Sequence, residues 1–426
     1  MSYLDSKRRP VVVVTGMGVL TSLGAGQADN WAALTGGVSG IRRITRFPTD
    51  GLRTTIAGTV DFVPQDEATA AGLTEALAGI VIEEAVGEAG IGAKGDFPGP
   101  LFLAVPPVEM DWPQRRALAE AAGVNDGTVS YAELIRAAEA GDFGRWYNRF
   151  LFASVAENLA ERFGTRGSPI STSTACASGA TAIQLGVEAI RRGETEVALC
   201  VGTDASVTQE ALIRFSLLSA LSTRNDPPTG ASRPFSKDRD GFIMAEGAGA
   251  LVLESLSHAR ARGARILGVV EGCGEATDSF HRTRSSPDGK PIVACMRNAL
   301  EDAGIGPEAI DYVNAHGTST PENDKMEWLG LSAVLGARAG QVPVSSNKSM
   351  IGHTLTAAGA VEAIFSLLAI QHGRLPPTIN HDTPDPAIPL DCVPNVARDA
   401  TVRHAMSNSF GFGGQNVSLV LGAAPG

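Results

Sequence analysis

Short runs of apolar, mostly β-branched residues recur along the whole chain and alternate with segments of helical character. Six such runs lie at 11–16, 196–203, 249–255, 266–274, 310–317 and 417–422. A strand that is apolar on both faces must be covered on both faces, and in α/β proteins helices provide that cover. The pattern therefore predicts an α/β fold with helices on both sides of the sheet.

Two segments, 169–194 and 343–373, share one pattern. Each starts with a proline and a short serine-containing strand, passes a residue with reactive chemistry, and ends in a small-residue helix that contains VEAI. In this comparison His353 occupies in the second segment the place of Cys176 in the first. The pattern predicts a duplicated chain with halves at 1–265 and 266–426, the first carrying a cap or insertion at 54–150. Chance similarity between two α/β units is the alternative.

Charge and cysteine usage exclude several classes of protein. The net charge of −11 argues against a nucleic-acid partner, which requires a basic face. The cysteines are odd in number and form no CxxC pair, which argues against a disulfide framework and a zinc site and fits a reducing cytoplasm. No apolar stretch reaches the ~18 residues of a membrane span. We therefore predict a cytoplasmic protein without membrane insertion or bound metal.

Cys176 lies in TACASG (174–179), where a strand is predicted to end and a helix to begin. The N-terminus of a helix carries partial positive charge, which lowers the pKa of a thiol and favours the thiolate. The small neighbours leave room for an acyl chain. The alternative is a buried structural cysteine, which is the commonest fate of a free cysteine; the other four cysteines fit it: Cys200, Cys273, Cys295 and Cys392.

Two histidine motifs follow in the second half. His316 comes directly after the apolar run at 310–313, and the ends of parallel strands are where active sites of α/β sheets gather. The segment SSNKSMIGHTLTAAG (345–359) supplies Lys348 and His353. A histidine taken alone is usually structural, so each motif is only moderate support for catalysis.

The segment NSFGFGGQN (408–416) carries Phe410 and Phe412 between glycines. Its functional interpretation is a mobile gate beside an acyl site that also presents a backbone N–H to an oxyanion. The alternative is a glycine-rich turn before the last strand.

In this order the motifs resemble those of the β-ketoacyl-[acyl-carrier-protein] synthases of the elongating Cys-His-His type, over nearly the whole chain. The resemblance implies a thiolase fold, in which two similar α/β halves form a five-layered α-β-α-β-α sandwich, normally as a homodimer. It implies these roles: catalytic Cys176, His316, His353 and Lys348; oxyanion-hole or gate residues Cys176, Phe410, Gly411, Phe412 and Gly413; supporting residues Glu362, Thr318, Thr320, Asp324 and Asn408.

The resemblance also implies the reaction. An acyl group held on Cys176 is elongated by two carbons in a decarboxylative Claisen condensation with malonyl-acyl carrier protein, so the chain would be an acyltransferase of fatty acid biosynthesis. No cofactor is expected, because the phosphopantetheine arrives on the carrier. In some relatives a structural monovalent cation lies near positions equivalent to Asn314, Glu362 and Asn408.

Three other functions are weighed against this one. A thiolase would place a second reactive cysteine where this chain has NSFGFGG. A non-catalytic or chain-length-determining partner subunit of a heterodimeric ketosynthase would lack Cys176. A Cys-His hydrolase would pair its histidine with an Asn or Asp motif.

Two departures from the family lie in the first half. Residues 54–114 hold one basic residue, Lys94, and ten acidic ones, where housekeeping synthases dock the acidic carrier with basic residues. Docking is therefore predicted elsewhere, or is weak. The segment 95–116 replaces the glycine-rich stretch that usually lines the acyl pocket, as in variant synthases that make very long acyl chains for lipid A. The predicted docking residues are Arg115, Arg116, Arg136, Arg145 and Arg149.

Overall fold

The computed structural model describes residues 3–64, 69–91, 95–123, 128, 130–141 and 143–425, and leaves out the side chain of Arg145. The strands are β1 Val12–Thr21, β2 Gly24–Ala25, β3 Arg42–Arg43, β4 Ile56–Ala57, β5 Leu101–Ala104, β6 Ile170–Thr172, β7 Val197–Asp204, β8 Gly247–Ser255, β9 Gly268–Thr277, β10 Tyr312–Asn314, β11 Pro343–Ser345, β12 Arg374–Leu375, β13 Asp391–Cys392, β14 Arg398–Asp399, β15 His404–Phe410 and β16 Gln415–Gly422. Each of the six predicted apolar runs overlaps one of these strands.

The α-helices alternate with the strands along the chain. They are α1 Gln27–Thr35, α2 Ala70–Ala89, α3 Trp112–Ala121, α4 Tyr131–Ala140, α5 Gly144–Arg149, α6 Ser154–Phe163, α7 Ser178–Arg191, α8 Gln209–Leu217, α9 Leu256–Ala261, α10 Lys290–Ala303, α11 Pro321–Leu335, α12 Lys348–Ile351 and α13 Ala358–His372.

The main sheet has the same arrangement on either side of its centre. Its order is β13-β11-β10-β15-β16-β9-β1-β8-β7-β5-β6, with β1 and β9 joined by a short antiparallel contact. Outward from β1, the successive pairings are antiparallel, antiparallel, parallel and parallel. Outward from β9 the same four pairings recur in the same order. The strands of the two predicted halves thus repeat one topology within a continuous sheet.

Helices cover both faces of this sheet. α2 packs on β1 and β8, α10 packs on β9 and β16, and α7 and α13 pack against each other between the two groups of strands. The predicted α/β layering of a thiolase fold is thus observed. The division at residue 265 falls between the end of α9 and the start of β9; we keep it as a proposal.

The two central helices meet at glycines. A Cβ atom on Gly179 would lie 2.6 Å from the backbone nitrogen of Ala360, and one on Gly359 would lie 2.4 Å from that of Ala180. Because no side chain fits at these distances, small residues are required where α7 crosses α13. This crossing is what brings the N-termini of the two helices, and the residues before them, close together.

Contrary to the expectation from the sequence, one helical stretch among the described residues, Leu355–His372, is long and apolar enough to cross a membrane, and 83% of it is buried inside the protein. It includes α13, whose position between the groups of strands explains why it is apolar on every side.

The segment 54–150, expected as a cap or insertion, is divided in the structure. α2 and β5 belong to the central layers, where α2 buries ten residues. By contrast, α3 and α4 have no buried residue. Only the part that follows β5 is therefore positioned as an addition to the layered core.

Candidate active site

Cys176 lies in a tight turn between β6 and α7. The turn is a 3-10 helix, Ala175–Ala177, and it starts with Ala175 in the left-handed region at φ 49°. The Ser178 hydroxyl accepts the Thr174 N–H (2.7 Å) and donates to the Ala175 carbonyl oxygen (2.6 Å), which closes the turn. Cys176 is 8% exposed at this junction of strand and helix, as the sequence predicted.

The second half contains the same turn, but His353 does not occupy the position of Cys176. The turn there is Leu355–Ala357, which again starts with a left-handed residue, Leu355 at φ 47°, and leads into α13. The middle residue is Thr356. The predicted equivalence of His353 with Cys176 is therefore wrong: His353 lies three residues earlier in the chain.

His353 nevertheless reaches Cys176 across the fold. Its Nε2 lies 3.1 Å from the Cys176 Sγ, and its Nδ1 accepts the backbone N–H of Leu355 at 3.2 Å. Its own backbone N–H is anchored on the Ile243 carbonyl at 2.7 Å. Because Nδ1 is an acceptor, the proton of the neutral ring is on Nε2, which makes His353 an N–H donor directed at the sulfur.

His316 follows the end of β10 and is fixed by a buried carboxylate. Its backbone N–H and that of Gly317 both donate to Glu327, at 2.8 and 2.7 Å. Its Nδ1 lies 3.5 Å from the Lys348 Nζ, and that ammonium group is ion-paired with Glu362. The ammonium is a donor only, so Nδ1 accepts and the Nε2 of His316 also carries the proton.

The environment makes these groups neutral at rest. Burial raises the pKa of the Cys176 thiol to about 11, although the Phe412 N–H and the Lys348 charge act in the opposite direction. Burial, with the Lys348 charge, holds the pKa of both histidines well below the usual value. The expected thiolate at the helix N-terminus is therefore not the resting state, because desolvation outweighs the favourable N–H groups.

The ligand atoms of Cys176, His316 and His353 all lie within 4.8 Å of one another, a spacing compatible with a metal site. The hydrogen bonds argue for a different use. Both Nδ1 atoms accept from donors, so both Nε2 atoms present N–H groups instead of the lone pair that a metal needs. The trio places the Cys176 thiol beside two imidazole N–H donors, of which that of His316 also faces the Phe410 carbonyl.

The loop after β15 brings Phe412 to the Cys176 sulfur. Gly411 and Gly413 donate their N–H groups to the backbone oxygens of Gln415 (2.7 Å) and Arg282 (2.8 Å), whereas the Phe412 N–H faces the Cys176 sulfur. A Cβ on Gly411 would lie 2.9 Å from the Thr174 oxygen, so the close approach requires glycine. Phe410 is buried in β15 and its ring meets that of His316 edge-on at 5.7 Å.

Some of the predicted supporting residues hold backbone or charged groups of the site in place, and the others line a cavity. Asp324 is buried and accepts the N–H groups of Phe235 (2.8 Å) and Ser319 (3.2 Å). Thr318 and Thr320 bond to each other at 2.9 Å and line a cavity beside Cys176. Glu362 pairs with Lys348, and Asn408 donates to Glu327 at 3.2 Å.

The residues named for a structural cation fit it in part. Asn314 Oδ1 and Glu362 Oε2 are buried and have no hydrogen-bond partner within the described chain, and such oxygens suit a hard cation. The amide oxygen of Asn408 instead accepts the Ser418 hydroxyl at 2.8 Å. Asn314 and Glu362 would hold such an ion, and its role there would be charge balance.

Two buried carboxylates at the site were not among the predicted residues. Glu327 lies three residues after Asp324 on α11, and burial raises its pKa to about 7. Helical spacing from Asp324 was the only signal that could have indicated it. Asp204 ends β7 and accepts hydrogen bonds from Thr356; as an isolated acidic residue after a strand it gave no sequence signal.

Two cavities meet at the sulfur. The first, of about 550 Å³, runs past His316 and His353 to a mouth at Arg282, Arg284 and Lys325. The second, of about 750 Å³, has a mainly apolar wall that includes Val105, Pro106 and Val108. Both are lined by Cys176, Phe215, Leu218, Leu355, Phe412 and Gly413. The Cys176 sulfur can thus be reached from two sides, with Phe412 at the junction.

Comparisons with known proteins agree with this geometry. Residues 9–91 and 110–259 match the family described as beta-ketoacyl synthase, N-terminal domain, and residues 267–382 match its C-terminal domain. The 3-oxoacyl-[acyl-carrier-protein] synthase 2 of Coxiella burnetii is 38% identical over 97% of this chain and 98% of its own length. The ketoacyl synthase alpha subunit of the tetracenomycin polyketide synthase of Streptomyces glaucescens is 37% identical over 96% of both chains.

Solved structures show the same fold. A type II polyketide synthase ketosynthase, in complex with its acyl carrier protein and bound to a hexaketide, superimposes with a TM-score of 0.87 at 32% identity, covering 98% of this chain and all of the other. A β-ketoacyl synthase from Burkholderia phymatum gives 0.85 at 32% identity, covering 97% of this chain and all of the other.

The fold and these relatives place the chain among the condensing acyltransferases. The chain belongs to the β-ketoacyl synthase family. The predicted activity of a β-ketoacyl-acyl carrier protein synthase, and the predicted enzyme class, are thereby confirmed.

Proposed function

We propose that Cys176, His316 and His353 carry out this condensation in two half-reactions. In the first, the Cys176 sulfur attacks the thioester carbon of an acyl-carrier protein. The carbon–sulfur bond to the carrier breaks, and the thiol proton of Cys176 ends on the departing carrier thiol. The backbone N–H groups of Cys176 and Phe412 hold the oxyanion, and the acyl chain enters the second cavity.

In the second half-reaction, malonyl-carrier protein enters through the first cavity and loses carbon dioxide. The two Nε2–H groups donate to the thioester oxygen while enolate charge develops, and each such donor is typically worth about 3–4 kcal/mol. The carbanion forms the new carbon–carbon bond at the Cys176 thioester. The carbon–sulfur bond to Cys176 breaks, and the sulfur regains a proton from solvent. Lys348 keeps Nδ1 of His316 as an acceptor.

The observation that carries this proposal is the contact of His353 Nε2 with Cys176 Sγ at the junction of two cavities. The test supplies malonyl-carrier and acyl-carriers of graded length and identifies products by mass spectrometry. Cys176→Ala should give no chain two carbons longer, and Cys273→Ala, which alters a partly buried thiol away from the site, should elongate normally. Normal elongation by Cys176→Ala would refute the proposal.

The mouth of the first cavity is the docking surface that we propose for the carrier. Arg282, Arg284 and Lys325 are exposed there and form no ion pair with any described residue, although Glu322 lies at the same mouth. Unpaired cations at the entrance suit the phosphate of the prosthetic arm and an acidic carrier. The arm would reach Cys176 directly from this side.

Three of the five arginines predicted from the sequence are less suited to docking. Arg115 is paired with Glu109 and Glu210, Arg116 lies over the Trp112 ring, and Arg136 donates to a carbonyl of its own helix. Arg145 has no described side chain. Arg282→Glu should raise the KM for carrier-bound substrate by about 10-fold, with no change for a free pantetheine thioester. Arg136→Glu is the matched control, and the reverse ranking would favour the earlier prediction.

The edge strand β6 is the dimer contact that we propose. It pairs with β5 on one side, lies at the end of the sheet and exposes Ile170 by 46%. An open strand edge is a template for pairing with a second chain, and Ile170 adds apolar area to it. Ile170→Lys should convert a dimer into a monomer in analytical ultracentrifugation, whereas an unchanged dimer would place the contact elsewhere.

The relatives favour one further test of assembly. A 3-oxoacyl-[acyl-carrier-protein] synthase 2 and a polyketide synthase ketoacyl synthase alpha subunit match over 97% and 96% of this chain, and the ishigamide ketosynthase/chain length factor is a structural neighbour. A purified chain that elongates acyl-carriers alone supports a homodimer; activity only after addition of a second subunit would support a heterodimer. Cytoplasmic location is supported by the five free cysteines. Very-long-chain specificity stays a prediction that graded acyl lengths test.

A further inference from the structure

Asp204 is a buried carboxylate beside the active site that the reaction described above does not use. It is 1% exposed at the end of β7, and no arginine, lysine or histidine forms an ion pair with it in the described parts of the chain. A buried charge without a cationic partner is costly unless hydrogen bonds compensate for its lost hydration. The partners of these hydrogen bonds therefore indicate the role of Asp204.

The hydrogen bonds of Asp204 hold the turn in the second half. Its Oδ2 accepts both the backbone N–H (3.1 Å) and the hydroxyl (2.7 Å) of Thr356, while its Oδ1 accepts the Ser206 N–H at 2.9 Å. The Thr203 carbonyl oxygen also lies 2.8 Å from the Thr356 hydroxyl, so the single hydroxyl proton is shared between the carboxylate and this carbonyl. One carboxylate thus fixes the turn to the end of β7 at two points.

That turn has a backbone which needs support. Leu355 adopts a left-handed φ of 47°, which is unfavourable for a leucine. In this conformation its N–H is the donor to His353 Nδ1. If the turn relaxed, Leu355 would lose the orientation that makes Nδ1 an acceptor, and the proton of His353 would no longer be restricted to Nε2.

We propose that Asp204 is a positioning residue for condensation: by fixing Thr356 it holds the Leu355 N–H on His353 Nδ1 and keeps His353 an Nε2–H donor facing Cys176. The inference rests on the role proposed for His353. It predicts that decarboxylation of malonyl-carrier depends on Asp204, whereas acylation of Cys176, which uses the backbone amides, depends on it much less.

Asp204 has a second, electrostatic link to the site. It lines the second cavity, and its charge is one of the groups that raise the pKa of the Cys176 thiol. Glu362 acts on the thiol in the same direction, and Lys348 opposes both. Loss of the Asp204 charge should therefore make Cys176 more readily alkylated at neutral pH, even while condensation slows. A purely structural role would not separate these two effects.

The test compares four variants of the full-length enzyme. Thr356→Val removes the hydroxyl with little change of shape, Thr356→Ser restores it, Asp204→Leu removes both acceptors, and Asp204→Asn keeps one. Intact-protein mass spectrometry measures acylation of Cys176, and release of carbon dioxide from malonyl-carrier measures decarboxylation. Nitrogen-15 spectra of histidine-labelled protein report which ring nitrogen of His353 carries the proton.

For Thr356→Val and Asp204→Leu we expect the kcat of decarboxylation to fall about 10- to 100-fold, with an unchanged KM for malonyl-carrier and acylation within about 3-fold of wild type. Thr356→Ser should recover the rate, and Thr356→Val should show mixed protonation of His353. Wild-type kcat in Thr356→Val, or equal loss of both half-reactions, would overturn the inference. A wild-type enzyme that forms no acyl-Cys176 would instead refute the proposed function itself.

Discussion

Two turns of one shape, Ala175–Ala177 and Leu355–Ala357, have different roles in the two halves. Each starts with a left-handed residue and leads into one of the two central helices. The middle residue of the first is Cys176, which lines both cavities. The middle residue of the second is Thr356, whose hydroxyl is bound to Asp204.

The difference shows how a repeated fold gives one reactive site. The backbone supplies two similar strand–turn–helix junctions, and crossing glycines bring them together. Whether a turn is reactive depends on its middle side chain and on the residues of the other half that contact that side chain. In the second half the middle residue of the turn is bound to Asp204, and His353 contacts Cys176 in the first turn.

The largest effect should come from giving the first turn the middle residue of the second, which is a threonine. Cys176→Thr puts a poorly nucleophilic, branched hydroxyl at the junction of the cavities. Condensation should fall on the order of 10³-fold or more, as for other lost nucleophiles. Product formation from malonyl- and acyl-carrier measures it. Retention of more than a tenth of the rate would mean that the acyl group is held elsewhere.

Removing His353, the residue of the second half that contacts Cys176, should have the next largest effect. His353→Ala deletes an N–H donor, so decarboxylation should slow by about 10²–10³-fold while Cys176 still becomes acylated. His372→Ala, at the far end of α13 where the ring stacks on Trp31, is the control and should keep the rate. Equal losses in both variants would contradict the assigned donor.

The second half also has an additional helix, α12, between β11 and its turn. This helix carries Lys348. Lys348→Met would leave Glu362 as an unpaired buried carboxylate and should lower the free energy of unfolding by about 3–5 kcal/mol. Urea denaturation measures the loss.

Two further variants control for this result. Arg166→Met, which breaks an exposed pair with Asp96, should cost no more than about 1 kcal/mol. Adding Glu362→Leu to Lys348→Met should recover much of the stability. If Lys348→Met were as stable as Arg166→Met, Glu362 would not depend on the ion pair.

The smallest effect concerns the ionisation of the Cys176 thiol in the first turn. A pKa raised to about 11 keeps Cys176 protonated at neutral pH. Its alkylation by iodoacetamide should therefore accelerate about tenfold per pH unit from 7 to 10, because the thiolate is the reacting species. Peptide mass spectrometry over this range checks it. A rate that levels off near pH 8 would show that the N–H groups outweigh burial.

The strands and the chemistry of the site could be predicted from the sequence because they depend on local pattern. Continuous apolar runs marked β1, β7, β8, β9 and β16, and the resemblance placed Cys176, His316 and His353 in one site.

What could not be predicted depends on three-dimensional surroundings. The equivalence of Thr356 with Cys176 was missed because the inserted α12 shifts the count from strand to turn. Asp204 and Glu327 are single acidic residues whose partners are distant in sequence or lie on the backbone. The thiol was expected to be acidic because a helix N-terminus can be read from sequence, whereas full burial cannot.

The most direct test of the account is to locate the acyl group after reaction with acyl-carrier protein. Tryptic digestion and mass spectrometry distinguish the peptide 167–191, which holds Cys176, from the peptide 349–374, which holds Thr356. We expect one acyl group, on Cys176 in the first peptide, and none on the second. An acyl group on any other residue, or an enzyme that elongates chains without acylating Cys176, would contradict it.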